Sequence, residues 1–312
     1  MKSDLISMED LTSKEIANLI KLSIKLKKKK LKINHKQYRN KVLGLVFQKP
    51  STRTRISFEI AMKQLGGDVI FLNNTDLQIS RGESIKDTAR TLSQYLDILV
   101  IRTFNNTEIQ EFVKYSSIPV INALTNTNHP CQALSDLQTI AENKGSINKL
   151  KIAWIGDGNN VCNDLTIGAL KLGADFSISG PRMYFPKKKI IKIASELAEK
   201  HKSKFEITTK PNKAVQNADV VITDSIISMG MEKEKNKRLK VFLPTYQISK
   251  TLMKYAKNNA VFMHCLPATR GQEVLEEVIE GDNSLIWKQV ENKLHMHKAL
   301  IHNMLHAKNN KI

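Results

Sequence analysis

Residues 48–59 read QKPSTRTRISFE, directly after the apolar run VLGLVF at 42–47. The apolar run has the length of a buried strand, and the polar stretch opens a helix near Thr52 or Arg53. The first turn of a helix leaves backbone N–H groups without intrahelical partners and carries the positive end of the helix dipole. Ser51 and Thr52 can cap that turn and also offer hydroxyls. Arg53 adds a fixed fork of donors suited to phosphate. Arg55 lies two residues on, points elsewhere on the helix, and reads as a structural partner of Glu59. The stretch is therefore a candidate phosphate cradle.

The same alternation continues outward. Short apolar runs at Val69–Leu72, Ile98–Thr103 and Pro119–Asn122 are separated by helical patterns at Thr54–Leu65, Ser84–Tyr95 and Thr107–Tyr115. A second series covers Lys151–Asp157, Asp175–Ser179, Lys204–Thr208, Asp219–Asp224 and Ala260–Leu266. Strands alternating with helices predict an α/β protein with two mainly parallel sheets flanked by helices. The charged stretch AENKGSINK at 141–149 marks a border, giving domains 1–143 and 144–312. A last helix at about 289–307 is expected to pack back on the first domain.

Composition narrows the function classes. The chain has 312 residues, 41 % of them hydrophobic, which suffices for two ordinary cores. No apolar run approaches the roughly 18 residues of a membrane span. The N-terminus MKSDLISMEDLTSKE lacks the apolar core of a signal peptide, and its acidic residues argue against a transit peptide, so a cytoplasmic location is expected. Cys131, Cys162 and Cys265 form neither a metal spacing nor a disulfide framework. The formal charge of +19 raises nucleic-acid binding. The densest run, KLKKKKLK at 25–32, has no zinc-finger or aromatic RNA-binding pattern beside it, so solvated lysine faces are the expectation.

In parallel sheets, ligands bind beyond the carboxyl ends of the strands. Ser51–Thr54, Arg102, Asn160, Asp224 and Cys265 all fall at such ends. Arg102 closes ILVIR and aims at an anion or a structural partner. In NHPCQ at 128–132, Pro130 suits a first helical turn, and His129 with Gln132 could donate to a carbonyl oxygen. GDGNNV at 156–161 tempts a dinucleotide reading, but Val161 replaces the third glycine and no acidic residue ends the next strand. Asn160 remains a polar candidate at a helix start. Asp224 ends a strand where a carboxylate could hold an ammonium group, and SMG at 228–230 offers a hydroxyl and backbone groups. Cys265 follows His264, but strand neighbours point to opposite faces, so a thiol–imidazole pair is not expected and buried packing is the plainer reading.

The ordered set STRTR, HPCQ, DSIISMG and HCLPA resembles the ornithine branch of the aspartate/ornithine carbamoyltransferase family. RGESIKDTARTLSQYLDILVIRTF and ENKLHMHKAL extend the resemblance over essentially the whole chain. It implies two α/β domains closing on a cleft, a trimer, and carbamoyl transfer from carbamoyl phosphate to the δ-amino group of ornithine. It implies that Ser51, Thr52, Arg53 and Thr54 cradle the phosphate and that Arg102 binds the same phosphate or the bridging oxygen. His129 and Gln132 are implied to polarise the carbamoyl carbonyl. Gln78 is implied to serve a neighbouring subunit's site. Asn160, Asp224, Ser228 and Met229 are implied to hold the amino-acid end of ornithine, with Cys265 and the Leu266 backbone at the reacting carbon. No metal or cofactor is implied.

Three positions depart from the pattern. Lys293 stands where the family has an arginine on carbamoyl phosphate, which keeps the charge but loses the planar two-pronged contact. Weaker carbamoyl phosphate binding is the expectation. Ile226 replaces an aromatic residue, which leaves the shape of its loop open, and nothing is drawn from Asp164. The aspartate branch reads HPLPR where this chain has HCLPA, and putrescine would leave Asp224 and SMG unused, so ornithine is the expected amine, with putrescine or an acylated ornithine behind it and an inactive binding relative as the rival class.

Overall fold

A computed structural model describes residues 4–29, 34–228 and 230–309. The chain forms two compact units, Met1–Gln138 with Glu291–Ile312, and Thr139–Val290. The first unit runs α1 (Ser13–Lys27), β1 (Val42–Phe47), α2 (Thr52–Leu65), β2 (Asp68–Asn73), α3 (Ile85–Tyr95), β3 (Ile98–Arg102), α4 (Asn106–Tyr115), β4 (Val120–Leu124) and the start of α5 (Pro130–Lys144). Its sheet has the order β2-β1-β3-β4 with every pairing parallel, and Phe47 sits beside Arg102 in the register. Strands buried on both faces need continuous apolar runs, and Leu43, Leu45, Leu99, Val100 and Ile121 are fully buried. Ser51 caps α2 by accepting the Thr54 N–H at 3.3 Å. Gly66, at φ +102°, ends α2 in the left-handed region, where a side chain would meet the His35 backbone.

The second unit runs β5 (Lys151–Ile155), α6 (Asn160–Lys171), β6 (Asp175–Ser179), α7 (Lys188–His201), β7 (Phe205–Thr208), α8 (Pro211–Val215), β8 (Val220–Thr223), α9 (Lys235–Phe242), α10 (Lys250–Met253), β9 (Val261–His264) and α11 (Glu276–Ile279). The sheet order is β7-β6-β5-β8-β9, again parallel throughout. Asn159 caps α6 by accepting the Val161 and Cys162 N–H groups, both at 3.0 Å. Ile226 is buried in the same apolar cluster as Phe242 and Tyr246, so an aliphatic residue anchors the loop whose shape the sequence left open.

The final helix, α12 (Ile286–Asn309), begins three residues before the expected Gln289. Buried Leu285 and Ile286 account for the earlier start. From Glu291 onward α12 belongs to the first unit. The His297 ring stacks on Phe58 of α2 at 3.6 Å between centroids, and its Nδ1 lies 2.9 Å from the Ser57 hydroxyl. Lys27 of α1 pairs with Glu291 at 3.0 Å and donates to Asn292 at 2.7 Å. Of the lysine run at 25–32, residues 30–32 lie outside the described residues.

Each sheet has one strand with neighbours reached by opposite crossovers, β1 in the first and β5 in the second. The carboxyl ends at such a switch point are where doubly wound sheets place ligands. Beyond β1 and β3 lie Lys49–Thr54 and Arg102. Beyond β5, β8 and β9 lie Asn159, Asn160, Asp224 and Cys265.

Candidate active site

In the first unit the sheet collects buried cations. Arg102, the last residue of β3, is 6 % exposed. Its carbonyl accepts the Gln48 N–H at 2.8 Å, which ties the start of the 48–54 segment to the end of β3. Lys49 is buried, donates to Asn126 at 2.7 Å and lies over the Phe104 ring at 4.1 Å. Burial, and then the Arg102 charge, hold the Lys49 ammonium below the usual lysine range. The helix start that follows has a half-buried Ser51, an exposed Thr52, a half-buried Arg53 and a buried Thr54. Arg55 turns away: it stacks on Phe71 at 3.7 Å and reaches Glu59 at 3.8 Å. Gln78 lies exposed on a separate 3-10 turn, Gln78–Arg81.

Pro130 opens α5, and the flanking His129 and Gln132 are both buried. A loop locked by Thr125 and Asn128 delivers them: the Thr125 N–H donates to the Asn128 carbonyl at 2.8 Å, and Asn106 donates to Asn128 Oδ1 at 2.7 Å. The His129 ring is held well below the usual histidine range by burial first, and then by the charges of Lys293, Arg102 and His297. A neutral ring can donate one N–H without demanding a counter-charge. Lys293 donates to Gln132 Oε1 at 2.8 Å, and Gln132 Nε2 donates to Asp136 at 2.8 Å. The expected arginine substitute thus reaches a glutamine side chain.

The second unit presents a braced carboxylate. Asp224 Oδ2 accepts from Asn159 Nδ2 at 2.7 Å, and Oδ1 accepts the Ser225 N–H at 2.7 Å and the Cys265 thiol at 3.1 Å. Cys265 is half-exposed, so the expectation of simple buried packing is corrected: the strand ends at His264, and the thiol turns to Asp224. Leu266 sits at φ +59°, and its N–H donates to His264 Nδ1 at 2.9 Å. Asn160, at the start of α6, accepts the Val161 N–H at 2.9 Å. Ser228 lies in the loop after β8 with its carbonyl accepting the Met231 N–H at 3.0 Å, and Met229 lies outside the described residues. Asp224, His264 and Cys265 bring ligand atoms within 4.8 Å of one another. Both His264 nitrogens already have partners, Leu266 N–H and Glu273, so this group is poorly prepared for a metal ion.

Sequence reasoning missed three supports. Asn159 was passed over for Asn160, although Asn159 holds both the α6 start and Asp224. Asp136, four residues after Gln132, carried a readable helical-spacing signal. Arg238 is 2 % exposed, bonds Asp157 and donates to the Ile226 carbonyl at 2.6 Å, which pins the base of the 224–230 loop. Its position in the basic run KEKNKRLK gave no hint of burial.

Residues 3–142 match the aspartate/ornithine carbamoyltransferase carbamoyl-P binding domain, and residues 148–304 match the Asp/Orn binding domain of the same family. An ornithine carbamoyltransferase of Caldicellulosiruptor saccharolyticus is 50 % identical over 95 % of this chain and 96 % of its own length. The ornithine carbamoyltransferase structure from Pyrococcus furiosus superimposes with a TM-score of 0.91 at 46 % identity, covering 96 % of this chain and 95 % of that one. The anabolic ornithine carbamoyltransferase from Campylobacter jejuni gives 0.91 at 38 % identity and 99 % of both chains. Two family domains matched in order, each with its own sheet and its own strand-end site, place the chain in the aspartate/ornithine carbamoyltransferase family.

Proposed function

We propose that the protein transfers the carbamoyl group of carbamoyl phosphate to the δ-amino group of L-ornithine, giving L-citrulline and phosphate, within arginine metabolism. The observation that carries this reading is the contrast of charge between its two sites. One unit holds buried cations and N–H donors at 49, 102, 129 and 132, and the other holds a carboxylate at 224. A dianionic donor substrate suits the first, and the ammonium of an amino acid suits the second. We assign residues 1–143 to carbamoyl phosphate and 144–312, less the returning helix, to ornithine.

In this scheme Ser51, Thr52, Arg53 and Thr54 hold the phosphate with the α2 start, and Arg102 neutralises it. His129 and Gln132 donate to the carbamoyl oxygen as negative charge develops there, and such preorganised donors are commonly the largest catalytic contribution. Asp224, Asn160, Ser228 and Met229 hold the amino-acid end of ornithine. Cys265 and the Leu266 backbone line the place where the δ-nitrogen meets the carbon. The nitrogen lone pair forms the new C–N bond, the C–O bond to phosphate breaks, and its electron pair leaves on phosphate. The amine must first lose its ammonium proton, so the rate rises with pH through the pKa of bound ornithine. No cofactor enters the scheme. A homotrimer, in which Gln78 serves a neighbouring subunit, and a cytoplasmic location complete it. No described helix is long and apolar enough to cross a membrane.

The test is product formation by the purified protein from carbamoyl phosphate with ornithine, aspartate and putrescine in parallel. Citrulline alone is the expected result. Carbamoyl-aspartate or carbamoyl-putrescine as the main product would overturn the assignment of Asp224.

A further inference from the structure

Gln132 is gripped from both sides in a buried setting. Lys293 donates to its Oε1 at 2.8 Å, and its Nε2 donates to Asp136 at 2.8 Å. Gln132, Asp136 and Lys293 are 2, 0 and 5 % exposed. A lysine can only donate and a carboxylate can only accept, so one amide orientation satisfies both neighbours. Turned by half a rotation, the NH2 group would face the ammonium and the oxygen would face the carboxylate. Each such mismatch at a buried site costs roughly tenfold or more in population.

One N–H of Gln132 remains after Asp136 is served, and among the described residues it has no acceptor. We propose that Lys293 and Asp136 are positioning residues that lock the Gln132 amide with this second N–H presented as a donor, and that Lys293 strengthens it. An ammonium on the amide oxygen draws electron density from the nitrogen, so the remaining N–H donates more strongly. The lysine itself is steadied by its helix, since Asn292 next to it is held by Lys27 and His297 one turn on stacks on Phe58. The inference rests on the reading of Gln132 as a donor to the carbamoyl oxygen. It moves the action of Lys293 from direct contact with carbamoyl phosphate to the orientation of Gln132, a side chain already in the site.

The test is a double-substitution cycle read as kcat and KM. Lys293→Met is expected to lower kcat about thirtyfold, with the KM for carbamoyl phosphate moving less than about threefold. Lys293→Arg, which restores a charged donor, is expected to recover at least about tenfold of that loss. In Gln132→Ala protein the Lys293→Met change is expected to cost less than about threefold more, because its target is gone. Losses that multiply, or a raised KM with kcat unchanged, would overturn the lock in favour of direct contact with carbamoyl phosphate. A wild-type protein that makes no citrulline would strike the proposed reaction instead. The lock is then read from the Gln132 side-chain amide signal in 15N NMR, assigned by its loss in Gln132→Ala. Lys293→Met should shift that signal and speed its solvent exchange at least about tenfold. An unmoved signal would contradict the lock whatever the reaction.

Discussion

The two strand-end sites hold charge in opposite ways. In the first unit Lys49, Arg102, His129 and Lys293 crowd together, and their mutual repulsion adds to burial in pushing Lys49 and His129 below their usual ranges. In the second, Asp224 has three donors of its own, and Arg238 is matched by Asp157. On the proposed reading, the first site gains stability when an anion arrives. The second is settled beforehand, so on the same reading its ligand must exchange for bonds already made. Desolvated like charges are tolerated where a ligand of opposite charge relieves them, and such clusters mark functional sites.

The largest expected effect tests the crowded side. Arg102→Gln should lower kcat/KM for carbamoyl phosphate by about 100- to 1,000-fold. It should also abolish the rise in melting temperature that carbamoyl phosphate gives the wild type, which at a hundredfold excess over Kd corresponds to about 2.7 kcal/mol. Asp224→Asn should lower kcat/KM for ornithine about 100-fold and leave that rise in place. A variant pair that lost both responses alike would break the contrast between the sites.

Acid sharpens it further. His129 and His297 are buried below the usual histidine range, and half-buried His302, beside the Tyr38 hydroxyl, is lowered to about 4 by burial and then by His306. Unfolded histidines take up protons from about pH 6.5 downward, whereas these folded ones resist. The unfolded state therefore binds more protons in that range, and stability falls as pH drops below about 6.5. For His302 the loss ends near pH 4. The urea midpoint should fall between pH 7.5 and 5, and His302→Gln should flatten that dependence. A midpoint independent of pH would contradict the buried neutral histidines.

Smaller effects follow. Cys265→Ala removes one of three donors to Asp224 and should raise the KM for ornithine no more than about tenfold. Glu59→Gln weakens two surface pairs, with Arg55 at 3.8 Å and with Lys63 at 3.6 Å, and should cost less than about 1 kcal/mol in chemical denaturation. A larger cost would mean that the surface pairs of Glu59 hold α2 more strongly than solvated ion pairs do.

Most of the framework was legible because it depends on local pattern. The apolar runs VLGLVF and ILVIR, the cap Ser51, and Pro130 at a helix start each declare their element within a few residues. The strand-end rule then selected Arg102, Asp224 and Cys265 without any knowledge of the packing. What stayed hidden were partners supplied from far along the chain. Arg238 and Asp157 are 81 positions apart, and Lys293 and Gln132 are 161 apart, so no spacing in the sequence pairs them. Asn159 and Asn160 are adjacent and chemically identical, and only the turn geometry selects the one that holds Asp224. Cys265 looked like packing because strand alternation turns it away from His264, whereas the strand stops one residue earlier and frees the thiol to turn to Asp224.

The most direct measurement of the division between the sites is the initial rate of citrulline formation by wild type and Asp224→Asn, each titrated separately with ornithine and with carbamoyl phosphate. The account predicts a KM for ornithine raised at least about tenfold in the variant, with the KM for carbamoyl phosphate within about twofold of wild type. Equal rises in both constants, or no rise in either, would contradict it.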